Sequence, residues 1–423
     1  MMRIEIINTG AELLVGRILN THQQWLCRQL TDLGYEVSRQ ACVSDDGQQI
    51  QAAVGESLPR ADVIITTGGL GPTSDDRTRD FIAQMLGRKL VVHPETLSWI
   101  EKFFAARGRP MPANVQVQAM VPEGATVLPN PNGTAPGLAL KTHRDRQWLI
   151  LLPGPPRELR PMFLESVVPL LRREFPLASK YICRTFKTTG LGESVVEEKI
   201  AGALQPLVRD GLELAYCARV GQVDVRLAGR GEKAGALLAQ GAARVESLLG
   251  PVIFGADDES LESVVIGLLT SLGKTVAVAE SCTGGFLAHR LTNVPGSSAV
   301  FLGGVIAYSN QVKQEVLGVR AETLRQHGAV SEPVAREMAD GARRLLRADY
   351  ALAVTGLAGP GGGTPDKPVG TAYIALSEKK GTSVQFQYSP VDRETFKFAI
   401  SQRALDLLRQ ALPAKPPAVS QIH

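Results

Sequence analysis

Short apolar runs that end in glycine, separated by amphipathic segments of helical period, recur toward both ends of this chain, and no other feature restricts its fold as tightly. Near the N-terminus "RIEIINTG" reads as a strand, "NTHQQWLCRQLTDLG" as an amphipathic helix closed by Gly34, and "YEVSRQACVS" as a second strand. "DDGQQIQAAVGESLPR" follows as a helix, and "ADVIITTGG" as a buried strand that runs into a glycine turn. Strand, helix, strand, helix, strand predicts a doubly wound parallel α/β sheet, whose ligands bind beyond the carboxyl ends of the strands.

A chain of 423 residues is too long for one ordinary core. The α/β rhythm gives a first domain over 1–168. Over 169–255 the texture changes to a small α+β module built from "KYICRTFKTTG", "GESVVEEKIAGAL", "LELAYCARVGQVDVRLAG" and "KAGALLAQGAARVESLLG". "PVIFGADDESLE" reads as a hinge, because Pro251, Gly255 and an acidic helix start fall together. The α/β rhythm resumes over 256–412, and 413–423 reads as a disordered tail. No period of 20–50 residues repeats, which excludes a solenoid.

Hydrophobic content of 44% with 21% charged residues is the balance of a folded protein. A net charge of +4, with Lys and Arg scattered along the chain, argues against a dedicated nucleic-acid binder. The first residues enter a strand pattern directly, without the apolar stretch of a signal peptide. From Leu291 to Val312 no residue carries a formal charge, yet Asn293, Pro295, Gly296, Ser297, Ser298, Gly303 and Gly304 interrupt the run. It therefore reads as a buried strand with polar loops, not a membrane span. Five widely spaced cysteines without a C-x-x-C pair point to reduced thiols in a cytoplasm.

"TTGGLGPTSDDRT" combines Gly68, Gly69 and Gly71 with the adjacent carboxylates of Asp75 and Asp76. Glycines after a buried strand let backbone N–H groups approach a phosphate, and carboxylates beside them make sense if a divalent cation such as Mg sits between. The other reading makes Asp75 the cap of the helix "DDRTRDFIAQML", its charge balanced by Arg77 and Arg79. Glu12 in "TGAELLVG", Asn132, Gly133 and Thr134 in "PNPNGTAPG", and the turn "LPGPPRE" flank strands in the same region.

Toward the C-terminus, "AESCTGG" puts Ser281 and Cys282 on a glycine turn between a strand and a helix, with Thr283 and Gly284 beside them. A hydroxyl or thiol there is supported by backbone N–H donors; the alternative is an N-capping serine beside a buried cysteine. "VPGSSAVFLGGVIAYSNQVK" adds Ser298, Tyr308 and Lys313. Lysine serves as a base only if neutral, which requires a dry pocket, and the uncharged run before Lys313 offers one; a solvated helical lysine is the other reading. "AVTGLAGPGGGTPDKPVGTAY" places Thr355 at a strand end before Gly356, Gly359, Gly361 and Gly362, a loop suited to wrapping a ribose phosphate.

Together these stretches resemble the competence/damage-inducible CinA family over nearly the whole chain. The resemblance implies a molybdopterin-binding-like doubly wound domain, a KH-like α+β middle domain and a C-terminal α/β/α amidase domain. It implies hydrolysis of nicotinamide mononucleotide to nicotinic acid mononucleotide and ammonia, with Ser298 as nucleophile, Lys313 as base and Tyr308 assisting. Ser281 and the turn amides would stabilise the oxyanion, Thr355 and the glycine loop would hold substrate, and Arg393 would clamp phosphate. For the first domain it implies a metal-dependent pyrophosphatase acting on ADP-ribose, with the metal at Asp75 and Asp76. Position 22 is His22 where the family's N-T-N carries a second Asn. The middle domain lacks a G-x-x-G loop, since Gly190 and Gly192 in "TTGLGES" are spaced differently and Glu193 adjoins them, so it reads as a connector or part of the first active site and not an RNA clamp. The family suggests a homodimer. A rival reading makes the first domain a pterin- or nucleotide-binding module acting through partners in competence or the response to DNA damage.

Overall fold

Strands Arg3–Thr9 and Val63–Thr67 are buried almost throughout, so both faces of their sheet need a helical layer. A computed structural model of the protein describes residues 2–413, so the expected tail lies outside the described residues apart from Pro413. The chain divides after Ile182 into two compact units.

In the first unit a six-stranded sheet runs in the order Glu36–Val43, Arg3–Thr9, Val63–Thr67, Trp148–Leu152, Gly137–Lys141, Thr126–Leu128. The first four strands are parallel and the last two antiparallel. Ile4, Ile6, Val63 and Ile65 point to one face, where Leu26 and Leu30 of helix Thr21–Asp32 and Leu159 and Phe163 meet them. Ile7 and Ile64 point to the other, against Val54 of helix Gly47–Ser57 and Ile82 of helix Thr78–Met85. The sheet is thus doubly wound, with an antiparallel edge added to its parallel centre. Its core runs beyond residue 168, since Leu170 and Leu171 are buried in it.

The second unit holds two sheets. One has the order Glu213–Arg219, Gln222–Arg230, Tyr181–Thr189, Ile253–Ala256, and is covered by helices Glu193–Arg209 and Ala234–Leu249. The stretch expected as a hinge is therefore structural: Ile253–Ala256 pairs antiparallel with Tyr181–Thr189, because the alternation of Ile253, Phe254 and Gly255 suits an edge strand.

The other sheet has the order Phe301–Ile306, Val276–Glu280, Tyr350–Gly356, Thr371–Glu378, Gly381–Tyr388. Its first three strands are parallel and its last two antiparallel to their neighbours. Val276, Val278, Leu352 and Val354 face helices Leu261–Leu272 and Arg393–Ala411. The opposite face carries Ala277, Ala279, Ala351 and Ala353 against helix Glu332–Leu346, completing three α/β/α layers. The uncharged run does not form a buried strand. Phe301–Ile306 is an edge strand with alternating exposure, and Leu302 and Ile306 are exposed. No helix among the described residues is long and apolar enough to cross a membrane.

Candidate active sites

The parallel strand Val276–Glu280 delivers Ser281 to the carboxyl edge of its sheet, where the Ser281 N–H donates to Val354 O at 2.9 Å. The turn that follows is pinned by Glu280. Its buried carboxylate accepts from the N–H groups of Gly285 and Leu287, each at 3.0 Å, and of Ala288 at 2.7 Å. These are the donors that the start of helix Phe286–Thr292 exposes, so the carboxylate occupies the positive end of that helix. The N–H groups of Cys282 and Thr283 meet no backbone carbonyl among the described residues.

Lys313 comes from the neighbouring helix Asn310–Glu315, which Ser309 caps by accepting from Val312 N. The side chain is 1% exposed. Its Nζ lies 3.2 Å from Ser281 Oγ, 2.8 Å from Ala307 O and 3.3 Å from Tyr308 O. Burial pushes the amine below the ordinary lysine range, and no carboxylate pairs with it among the described residues. A neutral amine has two N–H donors and one lone pair. The two carbonyls and the Ser281 hydroxyl satisfy the three donors of the charged amine and, with the hydroxyl turned to donate, the neutral amine as well; burial favours the neutral form.

Arg393, at the start of helix Arg393–Ala411, donates through Nη1 to Gly359 O at 2.8 Å and through Nη2 to Tyr308 Oη at 3.2 Å. Tyr308, Gly359 and Arg393 therefore gather beside the Ser281–Lys313 pair. Thr355 is buried and its hydroxyl donates to Ala329 O at 2.8 Å, so its proton is committed to the fold. Gly361 and Gly362 lie exposed farther along the loop. Cys282 is not a reactive thiol: burial pushes it up to about 12, and it packs in the core. A Cβ on Gly356 would stand 2.8 Å from Thr371 O and 3.1 Å from the Cys282 sulfur, so this loop meets the turn without room for a side chain. Thr283 Oγ1 is buried without a hydrogen-bond partner among the described residues, and Gly284 is exposed with its N–H on Ser281 O.

Ser298 is not part of this constellation. It lies in the short turn Ser297–Ala299, exposed, before strand Phe301–Ile306, and Val300 O accepts from Val276 N at the amino edge of the sheet. Ser281 and Lys313 lie at the carboxyl edge. Six residues of strand separate the two edges, roughly 20 Å at the usual rise. Within one chain, Lys313 reaches Ser281 and cannot reach Ser298.

In the first unit the strand ends also converge. Gly68, with φ of 99°, donates its N–H to Leu152 O at 2.9 Å, and a Cβ on it would stand 2.7 Å from the Thr9 hydroxyl. A Cβ on Gly154 would lie 3.9 Å from Gly68 Cα, so three parallel strands end together here. At Gly69 a Cβ would meet Thr78 Oγ1 at 2.0 Å, and at Gly71 the Asp76 carboxylate at 2.2 Å. Asp75 does not cap the following helix, which begins at Thr78 without a side-chain cap. The carboxylates act within their own turn. Thr73 donates to Asp76 through its N–H at 3.1 Å and through its hydroxyl, and the exposed Asp75 carboxyl, beside that same hydroxyl and its own backbone N–H, is held below the usual range. Carboxylate oxygens are the donor type a hard divalent cation takes. No group of three or more His, Cys, Asp or Glu side chains converges among the described residues. Asp75 and Asp76 therefore offer a cation carboxylate oxygens from one turn only, with Asp76 already engaged by Thr73.

Asn132 and Gly133 belong to a loop that Asn130 and Glu158 hold from beneath. Asn130 Nδ2 donates to Glu158 Oε2 at 2.8 Å and to Ala135 O at 2.7 Å, its Oδ1 accepts from Asn132 N at 3.1 Å, and Trp99 Nε1 donates to Gly133 O at 3.2 Å. Burial raises the Glu158 carboxyl above its usual range. A cleft of about 630 Å³ lined by His93, Trp99, Asn130 and Thr134 opens beside this loop. Glu12 is exposed in the short helix Ala11–Leu14, its carboxylate over Gly10 just after the end of strand Arg3–Thr9. His22 is half-buried, its imidazole pushed down by burial and hydrogen-bonded to the Gly154 backbone, so it reaches the same strand ends.

Three family models match in chain order: a probable molybdopterin binding domain over 5–173, the damage-inducible protein CinA KH domain over 183–255, and the CinA C-terminal domain over 258–412. A CinA-like protein of Akkermansia muciniphila is 45% identical over 418 residues, covering 98% of this chain and 99% of the relative. The chain belongs to the CinA family. A putative competence-damage inducible protein of Caldicellulosiruptor saccharolyticus is 43% identical, over 97% of this chain and 99% of its own length. The crystal structure of competence/damage inducible protein CihA from Agrobacterium tumefaciens is 44% identical and covers 36% of this chain and 93% of its own, with a TM-score of 0.35.

Two residues of this CinA-family chain carry the sites without having been singled out from the sequence. Glu280 immediately precedes Ser281, and an acid placed just before a glycine turn and a helix is a readable cap signal. Glu158 follows the "LPGPP" turn, where an acid in the first helical turn looks like ordinary helix chemistry; only its burial against Asn130 distinguishes it.

Proposed function

We propose that the C-terminal domain is an amidase that converts nicotinamide mononucleotide to nicotinic acid mononucleotide and ammonia in the cytoplasm. The observation that carries this reading is the buried, unpaired amine of Lys313 at 3.2 Å from Ser281 Oγ. Ser281 is the nucleophile. Its oxygen bonds to the carboxamide carbon while its proton passes to Lys313 Nζ. The N–H groups of Cys282 and Thr283 face the developing oxyanion. Lys313 then returns the proton to the departing nitrogen, the C–N bond breaks, and ammonia leaves an ester on Ser281. Water, losing a proton to Lys313, cleaves that ester and restores the hydroxyl. The pair supports attack on an acyl carbon; the amide and the nicotinamide nucleotide come from the family resemblance, and Arg393, whose guanidinium suits a phosphate, supports the nucleotide.

The test incubates the full chain with nicotinamide mononucleotide and measures ammonia and the nucleotide product. Activity is expected in the parent and absent in Ser281→Ala and Lys313→Ala; wild-type ammonia release by Ser281→Ala would remove the proposal.

A second activity is supported by the gathering of Thr9, Gly68 and Gly154 at the strand ends of the first domain. We infer that this domain cleaves the diphosphate of ADP-ribose. Asp75 and Asp76 would hold a divalent cation, which when bound neutralises phosphate charge. The glycine turn offers backbone N–H groups to the phosphates. AMP formation should stop with chelator and in Asp76→Ala; binding of ADP-ribose without AMP formation in the parent would favour a non-catalytic nucleotide-binding module instead.

A further inference from the structure

Residues 90–122 form a small substructure beside the strand ends of the first domain. Strand Leu90–Val92 pairs antiparallel with Met120–Pro122, and helix Pro94–Ala105 packs on the 3₁₀ segment Ala113–Ala119 around Ile100, Val115 and Ala119. Three side-chain donors leave this substructure and end on backbone carbonyls of two loops. Gln118 Nε2 donates to Leu70 O and Asn114 Nδ2 to Pro72 O, each at 3.3 Å, while Trp99 Nε1 donates to Gly133 O at 3.2 Å. The first two hold the glycine turn that follows strand Val63–Thr67, and the third holds the loop of Asn132 and Thr134.

In a planar trans peptide the carbonyl and the N–H that follows it point in opposite directions. The Leu70 carbonyl, drawn to Gln118, therefore turns the Gly71 N–H away from the substructure, and the Gly133 carbonyl on Trp99 does the same for the Thr134 N–H. Neither of these N–H groups, nor those of Gly69 and Leu70, meets a backbone carbonyl among the described residues. Successive N–H groups left over in a turn make an anion-binding concavity. The charges beside it are the Asp76 carboxylate, which a Cβ on Gly71 would meet at 2.2 Å, and the buried Arg79 guanidinium, whose Nε lies 3.5 Å from Asp80 Oδ1. A carboxylate so close makes the direction of the Gly71 N–H decisive for any anion. Gln118 is 2% exposed, and its Oε1 has no hydrogen-bond partner among the described residues. A buried acceptor without a partner costs stability, so the donor end of this side chain is the part the fold uses.

We propose that Gln118 and Trp99 are positioning residues of the first-domain site: by holding the Leu70 and Gly133 carbonyls they present the N–H groups of Gly71 and Thr134 to the phosphate oxygens of a diphosphate ligand. The inference rests on the reading of this domain as a diphosphate site and names the residues that aim its backbone donors. Asn114 contributes less, because it lies exposed, where water competes for the Pro72 carbonyl.

The experiment takes the full chain, isotope-labelled at its glycine nitrogens, and uses the α,β-methylene analogue of ADP-ribose with magnesium as the probe. In the parent the Gly71 amide resonance should move as the analogue is added. Gln118→Met keeps an unbranched side chain of similar size and removes the donor. It should raise the Kd of the analogue and the KM for ADP-ribose about tenfold each, change kcat for AMP formation by no more than about twofold, and leave the melting temperature unchanged. Its Gly71 resonance should be displaced already in the free chain and move less on titration. Trp99→Phe keeps a ring and loses the N–H, and should raise KM about threefold. Parent affinity together with a parent-like Gly71 shift in Gln118→Met overturns the proposal. So does a lowered melting temperature with kcat and KM impaired together, which marks a merely structural glutamine. Should Gln118→Met fail to fold, Trp99→Phe decides, since that ring is 40% exposed, and an unchanged KM there overturns the proposal. A parent that binds the analogue and forms no AMP removes the pyrophosphatase and leaves the positioning role, which the Kd values still measure; a parent that binds no analogue loses both.

Discussion

Lys313 Nζ meets Ser281 Oγ at 3.2 Å across a sequence separation of 32 residues, and two backbone carbonyls take the amine's remaining hydrogen bonds. Removing either partner should lower kcat for ammonia release at least a hundredfold or so, the scale of a lost general base or nucleophile. Ser298→Ala, at the other edge of the sheet, should stay within about twofold, as surface changes do. The rate should climb with pH through the lowered lysine pKa and level off above it, because the neutral amine is the active form. Stability has its own sign. Between the lowered folded value and the unfolded value of ~10.4 the folded chain binds fewer protons than the unfolded one, so stability rises with pH across that window and the deficit is fully present below it. Lys313→Met should therefore melt higher than the parent at pH 7, with the gap closing toward pH 10.

Glu280 accepts three backbone hydrogen bonds from the start of one helix. Glu280→Gln keeps the shape and loses the charge. It should destabilise the second unit by about 1.5–3 kcal/mol, the range for hydrogen bonds to a charged group. A lower urea midpoint for that transition, together with a lower kcat as the Ser281 turn loosens, is the expected result; an unchanged midpoint would mean the turn is held by its glycines and packing alone.

Arg393 divides its guanidinium between Gly359 O and Tyr308 Oη. Lysine cannot make both bonds with a fixed planar fork. Arg393→Lys should raise KM for the mononucleotide about tenfold with a much smaller change in kcat, the signature of lost ground-state binding. Steady-state kinetics measure the split.

How much of this was readable beforehand differs from residue to residue. The uncharged run 291–312 predicts a dry setting for Lys313, but much of that run is exposed, and the amine is buried by its contacts with Ser281, Ala307 and Tyr308. The placement of Ser281 and Ser298 was legible in principle: a residue that follows one parallel strand and a residue that precedes its neighbour stand at opposite edges. The doubly wound first domain followed from alternating patterns, whereas the antiparallel strands Gly137–Lys141 and Gly381–Tyr388 did not, because a short strand added at a sheet edge has no distinctive period. The Asn130–Glu158 bond joins residues 28 apart, and no local pattern announces such a pairing.

Glu158 gives a pH test in the first unit. Burial raises its carboxyl pKa, so the folded chain holds this proton more tightly than the unfolded one. Stability should fall as pH rises from the ordinary glutamate value of ~4.3 through the raised one, and the loss persists above it. Glu158→Gln should flatten that part of the profile while keeping an acceptor for Asn130. Denaturation midpoints of the first transition between pH 4 and pH 7 measure it; parallel profiles for parent and variant would show that the carboxyl stays ionised throughout.

The pairing of Ile253–Ala256 with Tyr181–Thr189 bears on how this chain is cut into pieces. A fragment ended near residue 250 would expose the backbone donors and acceptors along Tyr181–Thr189 to any passing strand, inviting self-association. A cut after Ala256 leaves that flank covered, and fragments made on either side of it should differ in solubility more than in fold.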